Sequence, residues 1–215
     1  MNPIKEIKRQ TSSANLPQAL TWDGAHFWMG SLDTQSIYQL NPATWQVLWE
    51  TKTPGYPFSL VSVANELRVL TGETSEDDRY IRRLVPGQGF DPDFKVALPE
   101  LTGSQLSYDG TSIYVSQWYN QQVLRLDEEG NITRTLSVPH GISGQVILGD
   151  VLYLITTDDE ENGDYWLTRL NLKDENPVPE DIALVPFPAR SLTHDGTHFW
   201  THHRAAGEAV CFELT

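Results

Sequence analysis

The sequence contains a single cysteine, Cys211, among its 215 residues. One cysteine cannot form an intramolecular disulfide, so the fold must be held together by its own core. A chain of this length buries roughly 70% of the surface that its unfolded form exposes, which is enough for that purpose. We interpret Cys211 as a buried small hydrophobic residue, because it lies at an apolar position of a predicted strand.

The chain also lacks long apolar runs and an excess of basic residues. No window approaches the roughly 18 apolar residues of a membrane-spanning helix. The N-terminal segment MNPIKEIKRQ has no apolar stretch of a secretory leader, so we expect a cytoplasmic protein without a membrane partner. With 29 acidic and 15 basic residues the formal net charge is −14, which argues against nucleic acid as a partner.

Three common catalytic motifs are missing from the sequence. It has no strand-to-helix nucleophile elbow, no phosphate-binding glycine loop and no Cys-x-x-Cys pair. The sequence therefore does not indicate a hydrolase with a nucleophile elbow, a nucleotide-binding loop or a thiol redox site.

The chain does contain an internal repeat. Leu20–Trp28, Leu106–Tyr114 and Leu192–Trp200 each place an Asp-Gly pair between two apolar runs, a strong hairpin signal. Their aspartates are 86 residues apart, twice 43, and a period near 43 is typical of a four-stranded propeller blade. Degenerate copies fill the two gaps, at Val61–Leu67 and Val146–Tyr153.

A second series of strands repeats with the same period. It consists of apolar-x-polar-Leu segments that end at Leu40, Leu84, Leu126 and Leu170, spaced by 44, 42 and 44 residues. Val210–Leu214 is a looser fifth member. Each segment is followed by another short apolar run, which predicts the third and fourth strands of five blades.

The termini indicate how the ring closes. The fifth blade ends after its third strand, whereas Ile4–Arg9 precedes the first blade without a partner. Pairing this segment with the last blade removes an exposed sheet edge. We therefore predict an all-β, five-bladed propeller of four-stranded blades, in preference to an open sandwich. It forms one domain, residues 1–215, with approximate blades at 14–52, 53–98, 99–138, 139–186 and 187–215 plus 3–10.

The turn between the third and fourth strands is predicted to contain proline. Proline would remove a ladder hydrogen bond inside a central strand, so a turn is the expected place for it. The prolines assigned to these turns are Pro42, Pro86, Pro92 and Pro177.

The first blade resembles a known superfamily. Trp22-Asp23-Gly24, Phe27-Trp28 and the segment Ile37–Thr44 are similar to blades of YncE-like and glutamine-cyclotransferase-like propellers, and also to virginiamycin B lyase-like propellers. These motifs are structural, so the resemblance implies the fold and transfers no catalytic residue. The Phe-Gly-Glu-Gly type segment of the cyclotransferases is absent, and the paired histidines and glutamate of the lyases cannot be placed.

The resemblance also implies where a ligand would bind. In such propellers the first strand of each blade lines the central channel, and loops at its start form the upper face. Candidate ligand-binding residues on these segments are Gln18, Phe58, Gln105, Trp118, Tyr119, Arg190 and His202. Arg190 is either a fork for an anion or one half of a salt bridge. The pair Trp118-Tyr119 is either a stacking wall for a ligand or a cap over a blade interface.

Catalytic and metal sites are less clearly indicated. Glu73, Asp33 or Asp158 is the candidate general base of an enzyme, with a pKa raised by the channel and with Arg190 or a histidine stabilising negative charge. No cofactor is evident. His202 and His203 are the residues that would hold a divalent metal, and the acidic loop Asp158–Asp164 could bind calcium.

Three functions fit these residues. The first is binding of a small polar ligand or a peptide at the upper face of the channel. The alternative is an enzyme of cyclotransferase or lyase type that uses a channel carboxylate. The third is a protein-interaction scaffold, for which the aromatic residues, including seven tryptophans, would be exposed on the surface.

Overall fold

The computed structural model of the protein describes residues 1–74 and 78–214. Within these residues, strands form five antiparallel sheets of four strands each, arranged as a β-propeller. The predicted fold class is confirmed. Each sheet is one blade, and its innermost strand is the first in sequence. We call the end of the propeller at which the inner strands begin the upper face.

The strands follow one another in a regular order. The first strand is β1 (Lys5–Thr11); blade 1 then consists of β2 (Pro17–Trp22), β3 (Phe27–Ser31), β4 (Ser36–Leu40) and β5 (Val47–Lys52), and blade 2 of β6 (Tyr56–Val63), β7 (Glu66–Gly72), β8 (Arg79–Val85) and β9 (Gly89–Ala97). Blade 3 consists of β10 (Leu106–Tyr108), β11 (Ile113–Gln117), β12 (Gln122–Leu126) and β13 (Ile132–Ser137), and blade 4 of β14 (Gly141–Leu148), β15 (Val151–Thr157), β16 (Tyr165–Asn171) and β17 (Glu180–Val185). Blade 5 contains β18 (Ala189–His194), β19 (Phe199–His203) and β20 (Glu208–Glu213). Single 3₁₀ turns lie at Pro99–Leu101 and Arg204–Ala206, and the described residues contain no helix able to cross a membrane.

The ring closes as the termini predict. Strand β1 pairs antiparallel with β20, from Lys5 opposite Glu213 to Thr11 opposite Glu208, and so becomes the fourth strand of blade 5. The preceding residues also bind blade 4, because the Ile4 amide donates to the Leu184 carbonyl at 2.8 Å. Ile4 is buried between these two blades, so the N-terminus joins them through hydrogen bonds and packing.

The hydrophobic core lies in the seams between blades. Each of five buried apolar clusters combines one face of a blade with the facing side of its neighbour. The cluster between blades 5 and 1 joins Trp200 to Leu20, Phe27 and Trp45, which shows that the ring is continuous. Burial of such large side chains stabilises a fold by roughly 1.5–3 kcal/mol each.

The repeated aspartates have a structural role at the lower face. Oδ1 of Asp195 accepts the backbone N–H groups of Thr197 and His198, both at 2.8 Å, and Oδ2 accepts the indole N–H of Trp200 at 2.7 Å. Asp23 and Asp109 make the equivalent bonds in blades 1 and 3. One carboxylate thus shapes the turn and satisfies a buried aromatic donor, which explains the 86-residue period without a catalytic role.

Two details differ from the sequence interpretation. Phe212, opposite Phe199, takes the register position that Leu40 and its equivalents occupy, rather than Leu214. Pro92 lies inside the edge strand β9 rather than in a turn. It falls where the pairing with β8 is interrupted, between the Arg82–Lys95 and Leu84–Phe90 pairs, so no ladder hydrogen bond is lost.

Candidate functional site

The inner strands are irregular near the upper face. The pairing of β2, β6, β14 and β18 with the next strand shifts at Pro17/Ala19, Pro57/Ser59, Ile142/Gly144 and Arg190/Thr193. Such bulges redirect side chains and are common next to functional sites. They place Gln18 and Phe58 outside the regular alternation of the strand.

A pocket opens on the upper face where blades 4, 5 and 1 meet. Its volume is about 440 Å³, and we call it the upper pocket. The lining residues come from the turn before β2, the loop between β15 and β16, the start of β18 and the 3₁₀ turn after β19: Leu16, Glu160, Glu161, Tyr165, Pro188, Ala189, Arg190, Arg204 and Ala205.

Arg190 forms a two-pronged ion pair across this pocket. Its guanidinium donates to both carboxylate oxygens of Glu160, with Nη1 to Oε1 at 2.5 Å. Of the two roles that the sequence suggested for Arg190, an anion ligand or a salt-bridge partner, the structure shows the salt bridge. The hydroxyl of Tyr165 donates to the Glu160 carbonyl at 2.8 Å, and burial raises the pKa of Tyr165 to about 12. Arg190, Glu160 and Tyr165 thus form a hydrogen-bonded wall.

Arg204 is the second cation of the pocket. Its Nη1 donates to Oε1 of Gln18 at 3.0 Å, and it forms no ion pair with any residue that the structure describes. Burial lowers the pKa of Arg204, and the positive charge of Arg190 lowers it further. Arg190 is therefore paired with a carboxylate, whereas Arg204 is bound to a neutral amide.

His202 lies opposite Arg190, a lining residue of this pocket, in the β18–β19 pairing. It is completely buried, which lowers its pKa to about 3 and keeps it neutral. Its Nδ1 is 3.3 Å from the hydroxyl of Ser191, whereas its Nε2 has no hydrogen-bond partner among the described residues. His202 is therefore buried behind Arg190 in the sheet pairing and is not among the residues that line the pocket.

The structure does not bring together the side chains of His202 and His203, the two candidate metal ligands. His202 and His203 are consecutive in a strand, so their side chains point to opposite faces of the sheet. His203 stacks on Phe187 with a centroid distance of 5.0 Å and contacts Arg9. Within residues 1–74 and 78–214, no three histidine, cysteine or carboxylate side chains are grouped as metal ligands.

The acidic loop does not form a calcium cage either. Asp158 contacts His140, with its Oδ1 2.6 Å from Nδ1, whereas Glu160 binds Arg190. Asp159 accepts the amides of Glu161 and Asn162 in its own turn. Asp158, Asp159 and Glu160 thus have three different sets of partners.

The remaining predicted ligand residues lie in blades 2 and 3, away from the upper pocket. Phe58 packs over Gly72 and under Arg79, 3.8 Å from the guanidinium carbon, so it does not plug the channel. Gln105 is buried in blade 3, where its Nε2 lacks a partner among the described residues. These two side chains share no pocket with Arg190.

Trp118 and Tyr119 have separate environments. Trp118 covers Gly141 at the start of blade 4 so closely that a Cβ there would lie 2.7 Å from the indole ring. It therefore caps the interface between blades 3 and 4, one of its two readings. Tyr119 is 85% exposed. None of the seven tryptophans is exposed, so the tryptophan surface expected of a scaffold is absent.

The three candidate general bases belong to different blades and do not converge. Asp33 is exposed and accepts a 3.4 Å hydrogen bond from Asn15. Glu73 binds Lys95 and, at 2.8 Å, Arg82. The hydrogen bond from Lys95 lowers the pKa of Glu73, contrary to the raised value expected of a channel base. Asp158 is exposed beside His140.

The comparison with known proteins supports the architecture. No protein-family model matches the sequence, and a search of curated proteins finds no match. Among solved structures, glutaminyl cyclase of Myxococcus xanthus is similar with a TM-score of 0.74 and 11% identity, covering 99% of this chain and 98% of that one. The PQQ-bound aldose sugar dehydrogenase of Streptomyces coelicolor is similar with a TM-score of 0.63 and 11% identity, covering 97% of each chain. BamB of Moraxella catarrhalis has a TM-score of 0.53 and 10% identity over 99% of this chain and 90% of that one. These likenesses show the fold.

Sequence reasoning placed Arg204 in an upper-face loop and Glu160 in the acidic loop, but it did not connect either residue with Arg190. It did not single out Tyr165 or His140. Arg204 follows His203 in a loop that was already considered, but no pattern distinguished it from a solvated arginine. Glu160 was hidden in an acidic run, where most charges are solvated. The available signal was complementarity, since an inner-strand arginine at the upper face requires an acid within reach in the neighbouring blade.

Proposed function

We propose that this propeller binds a small anionic ligand, with a carboxylate or phosphate group, in the upper pocket. The observation that supports this proposal is Arg204, a half-buried guanidinium next to Arg190 whose described partner is a neutral amide. A buried charge is costly unless it is paired and hydrogen-bonded. An anion at Arg204 would supply the missing partner, and guanidinium geometry suits both carboxylate and phosphate.

The shape of the upper pocket supports the same proposal. Its volume of about 440 Å³ lies within the range of roughly 300–1,000 Å³ that is usual for small-molecule sites. Leu16, Pro188 and Ala189 give it apolar walls, and Tyr165 and Glu160 form the polar side. The ligand therefore combines one anionic group with a compact apolar body.

The experiment compares wild type with Arg204→Met. Titration calorimetry and thermal shift are run with inorganic phosphate, a short dicarboxylate series and free amino acids. A ligand that binds the native state preferentially raises the Tm. At a free ligand concentration of 100 times the Kd, it stabilises the native state by about 2.7 kcal/mol. We expect at least one anion to bind wild type and to lose at least about tenfold affinity in Arg204→Met.

The matched control is Arg169→Met, because Arg169 is 50% exposed and pairs with Glu180 on an outer strand. Binding should be unchanged in this variant. Equal binding by Arg204→Met and wild type, or no binding by any anion, would refute the proposal.

An enzyme is the second candidate, and one contact favours it. Nδ1 of His140 is 2.6 Å from Asp158, and its Nε2 is 3.8 Å from Asp181. The ring stacks on Trp166 with a centroid distance of 4.5 Å. In this version Asp158 orients His140, and the histidine rather than the carboxylate transfers the proton.

Glutaminyl peptides are the first substrates to assay, since a structural neighbour is named a glutaminyl cyclase. The enzyme hypothesis predicts turnover by wild type that falls at least about 100-fold in His140→Gln, with unchanged circular dichroism. Turnover that survives the substitution would remove His140 from the reaction, and absence of any turnover leaves ligand binding as the function.

A further inference from the structure

One position of the blade repeat is occupied differently in blade 2. In the second strand of each blade, the residue opposite Gln39 or its equivalent faces the next blade. It is Trp28, Tyr114, Tyr153 and Trp200 in four blades and Arg68 in blade 2. Trp28, Tyr114 and Trp200 are buried in their seams, with 0%, 3% and 1% exposure. The seam between blades 2 and 3 therefore lacks the aromatic side chain that fills the others.

A cavity of about 310 Å³ lies at this place, and we call it the seam pocket. Its walls come from both blades and combine apolar side chains with polar ones. Blade 2 contributes Val63, Arg68, Ile81, Phe94 and Val96, and blade 3 contributes Tyr108, Thr111, Ser112, Ile113, Leu126, Asp127, Glu128 and Gly130. The pocket is at the lower face, at the opposite end of the blades from the upper pocket.

Arg68 is held flat against one wall. Its guanidinium carbon is 4.8 Å from the centre of the Phe94 ring, and its Nη1 donates to Glu66 at 3.0 Å. The side chain is 17% exposed. No second hydrogen bond to Arg68 is present among the described residues, so N–H groups of a largely buried guanidinium remain available beside an apolar cavity.

The acids on the opposite wall do not compete strongly for a ligand. Asp127 already accepts hydrogen bonds from the amides of Glu129 and Asn131, at 3.1 and 2.7 Å, and from the Asn131 side chain at 3.0 Å. Glu128 is exposed to solvent. A charge in water contributes little to binding, whereas a buried donor without its full set of partners contributes more.

We propose that the seam pocket is a second binding site, for a small planar aromatic acid whose ring replaces the missing aromatic side chain and whose carboxylate accepts from Arg68. The ring lies between Phe94 and Val96 of blade 2 and Ile113 and Leu126 of blade 3. The specificity follows from one partly buried guanidinium beside the apolar side chains of the pocket. This site is independent of the upper pocket and of the function proposed for it.

The probes are indole-3-acetate and tryptamine, which share a ring and differ in the charge of the side chain. Binding is measured by calorimetry, and the site is located by methyl chemical-shift changes at Val63, Val96 and Ile113. We expect indole-3-acetate to bind at least about tenfold more tightly than tryptamine, because only the carboxylate completes the hydrogen bonding of Arg68.

Two variants locate the effect. Arg68→Tyr places in blade 2 the residue that blade 3 has at Tyr114, so it should fill the pocket and abolish binding. Val96→Trp blocks the same pocket from the edge strand. If Arg68→Tyr fails to fold, Val96→Trp still tests whether filling the pocket abolishes binding. Arg169→Met is the control, and it should bind indole-3-acetate as wild type does.

Tighter binding of tryptamine, shifts confined to the upper pocket, or unchanged affinity in both pocket-filling variants would overturn the proposal. Absence of indole-3-acetate binding at millimolar concentration would also overturn it. Shifts confined to the upper pocket would place the ligand at the anion site of Arg204, and the other results leave that site to the test of Arg204→Met.

Discussion

The two ends of the blades satisfy their polar groups in different ways. At the lower face of blades 1, 3 and 5, a single aspartate accepts two turn amides and one aromatic donor. At the upper face the inner strands are bulged, His202 Nε2 and Gln105 Nε2 are buried without partners among the described residues, and Arg204 has only an amide. One carboxylate thus completes the hydrogen bonding of each of these three lower turns, whereas several polar groups near the upper face lack a full set of partners among the described residues.

The largest expected effect comes from breaking a lower turn. Asp195→Asn replaces a carboxylate oxygen with an amide N–H that faces the indole N–H of Trp200. Leaving that buried donor unpaired and weakening the turn bonds should lower the free energy of unfolding by about 2–4 kcal/mol. Urea unfolding measures the loss.

The matched variant is Asp150→Asn in blade 4, where the aspartate is 57% exposed and pairs only with Lys173. Its effect should be below about 0.5 kcal/mol, as for an exposed ion pair. Similar losses in the two variants would show that the lower aspartates are not specialised.

The opposite result is expected at the upper face. His202→Leu removes a buried imidazole with an unpartnered nitrogen and should stabilise the fold by about 1 kcal/mol or leave it unchanged. A loss above about 2 kcal/mol would contradict this and would indicate a hydrogen bond that stabilises His202.

The same variant tests a pH dependence. Burial lowers the pKa of His202 to about 3, below the ordinary value of 6.5. The native state therefore binds this proton at a lower pH than the unfolded state does. The free energy of unfolding therefore decreases as pH falls from about 6.5 towards 3. Urea midpoints between pH 7 and 4 should fall less steeply in His202→Leu than in wild type. Parallel slopes would show that His202 is already protonated or solvated in the native protein.

Arg68→Tyr tests the seam between blades 2 and 3, where Arg68 replaces the aromatic residue found at this position in the other four blades. Filling the cavity of about 310 Å³ with an aromatic ring should raise the free energy of unfolding by about 1 kcal/mol, since apolar burial increases and a half-buried charge is removed. A thermal melt compares it with Arg169→Tyr, which should have no effect. Destabilisation would mean that the Glu66–Arg68 pair stabilises the seam more than the added ring does.

The smallest effect on stability belongs to Arg204→Met. The guanidinium is half-buried and lacks an anionic partner among the described residues, so its removal should change the free energy of unfolding by less than about 0.5 kcal/mol. The anion affinity should nevertheless fall, which separates binding from stability at this residue. Loss of both together would show that Arg204 is a structural residue.

Much of the fold was predictable because a propeller repeats its local signals. The Asp-Gly turns, the leucine series and the unpaired Ile4–Arg9 segment specify the number of blades, their strands and the closing strand. The details that failed, Pro92 and the register of Phe212, fall in edge or degenerate strands, where alternation is weakest.

The candidate site was only partly predictable. Arg190 and Gln18 were identified because inner-strand starts lie at the upper face, and both do lie at or beside the upper pocket. Glu73, Asp33 and Asp158 were expected to act in a channel, but each has partners in its own blade or an adjacent segment. Position along a strand gives the end of the propeller, but not the direction of a long side chain.

By itself, the sequence determined the architecture, since hairpin turns, alternation and period are local properties that recur five times and reinforce one another. Only the tertiary structure decided which charges remain uncompensated. Arg190 meets Glu160 and Arg68 faces a cavity because neighbouring blades bring together residues distant in sequence. Hydrogen bonding and burial depend on those distances, and a one-dimensional pattern does not contain them.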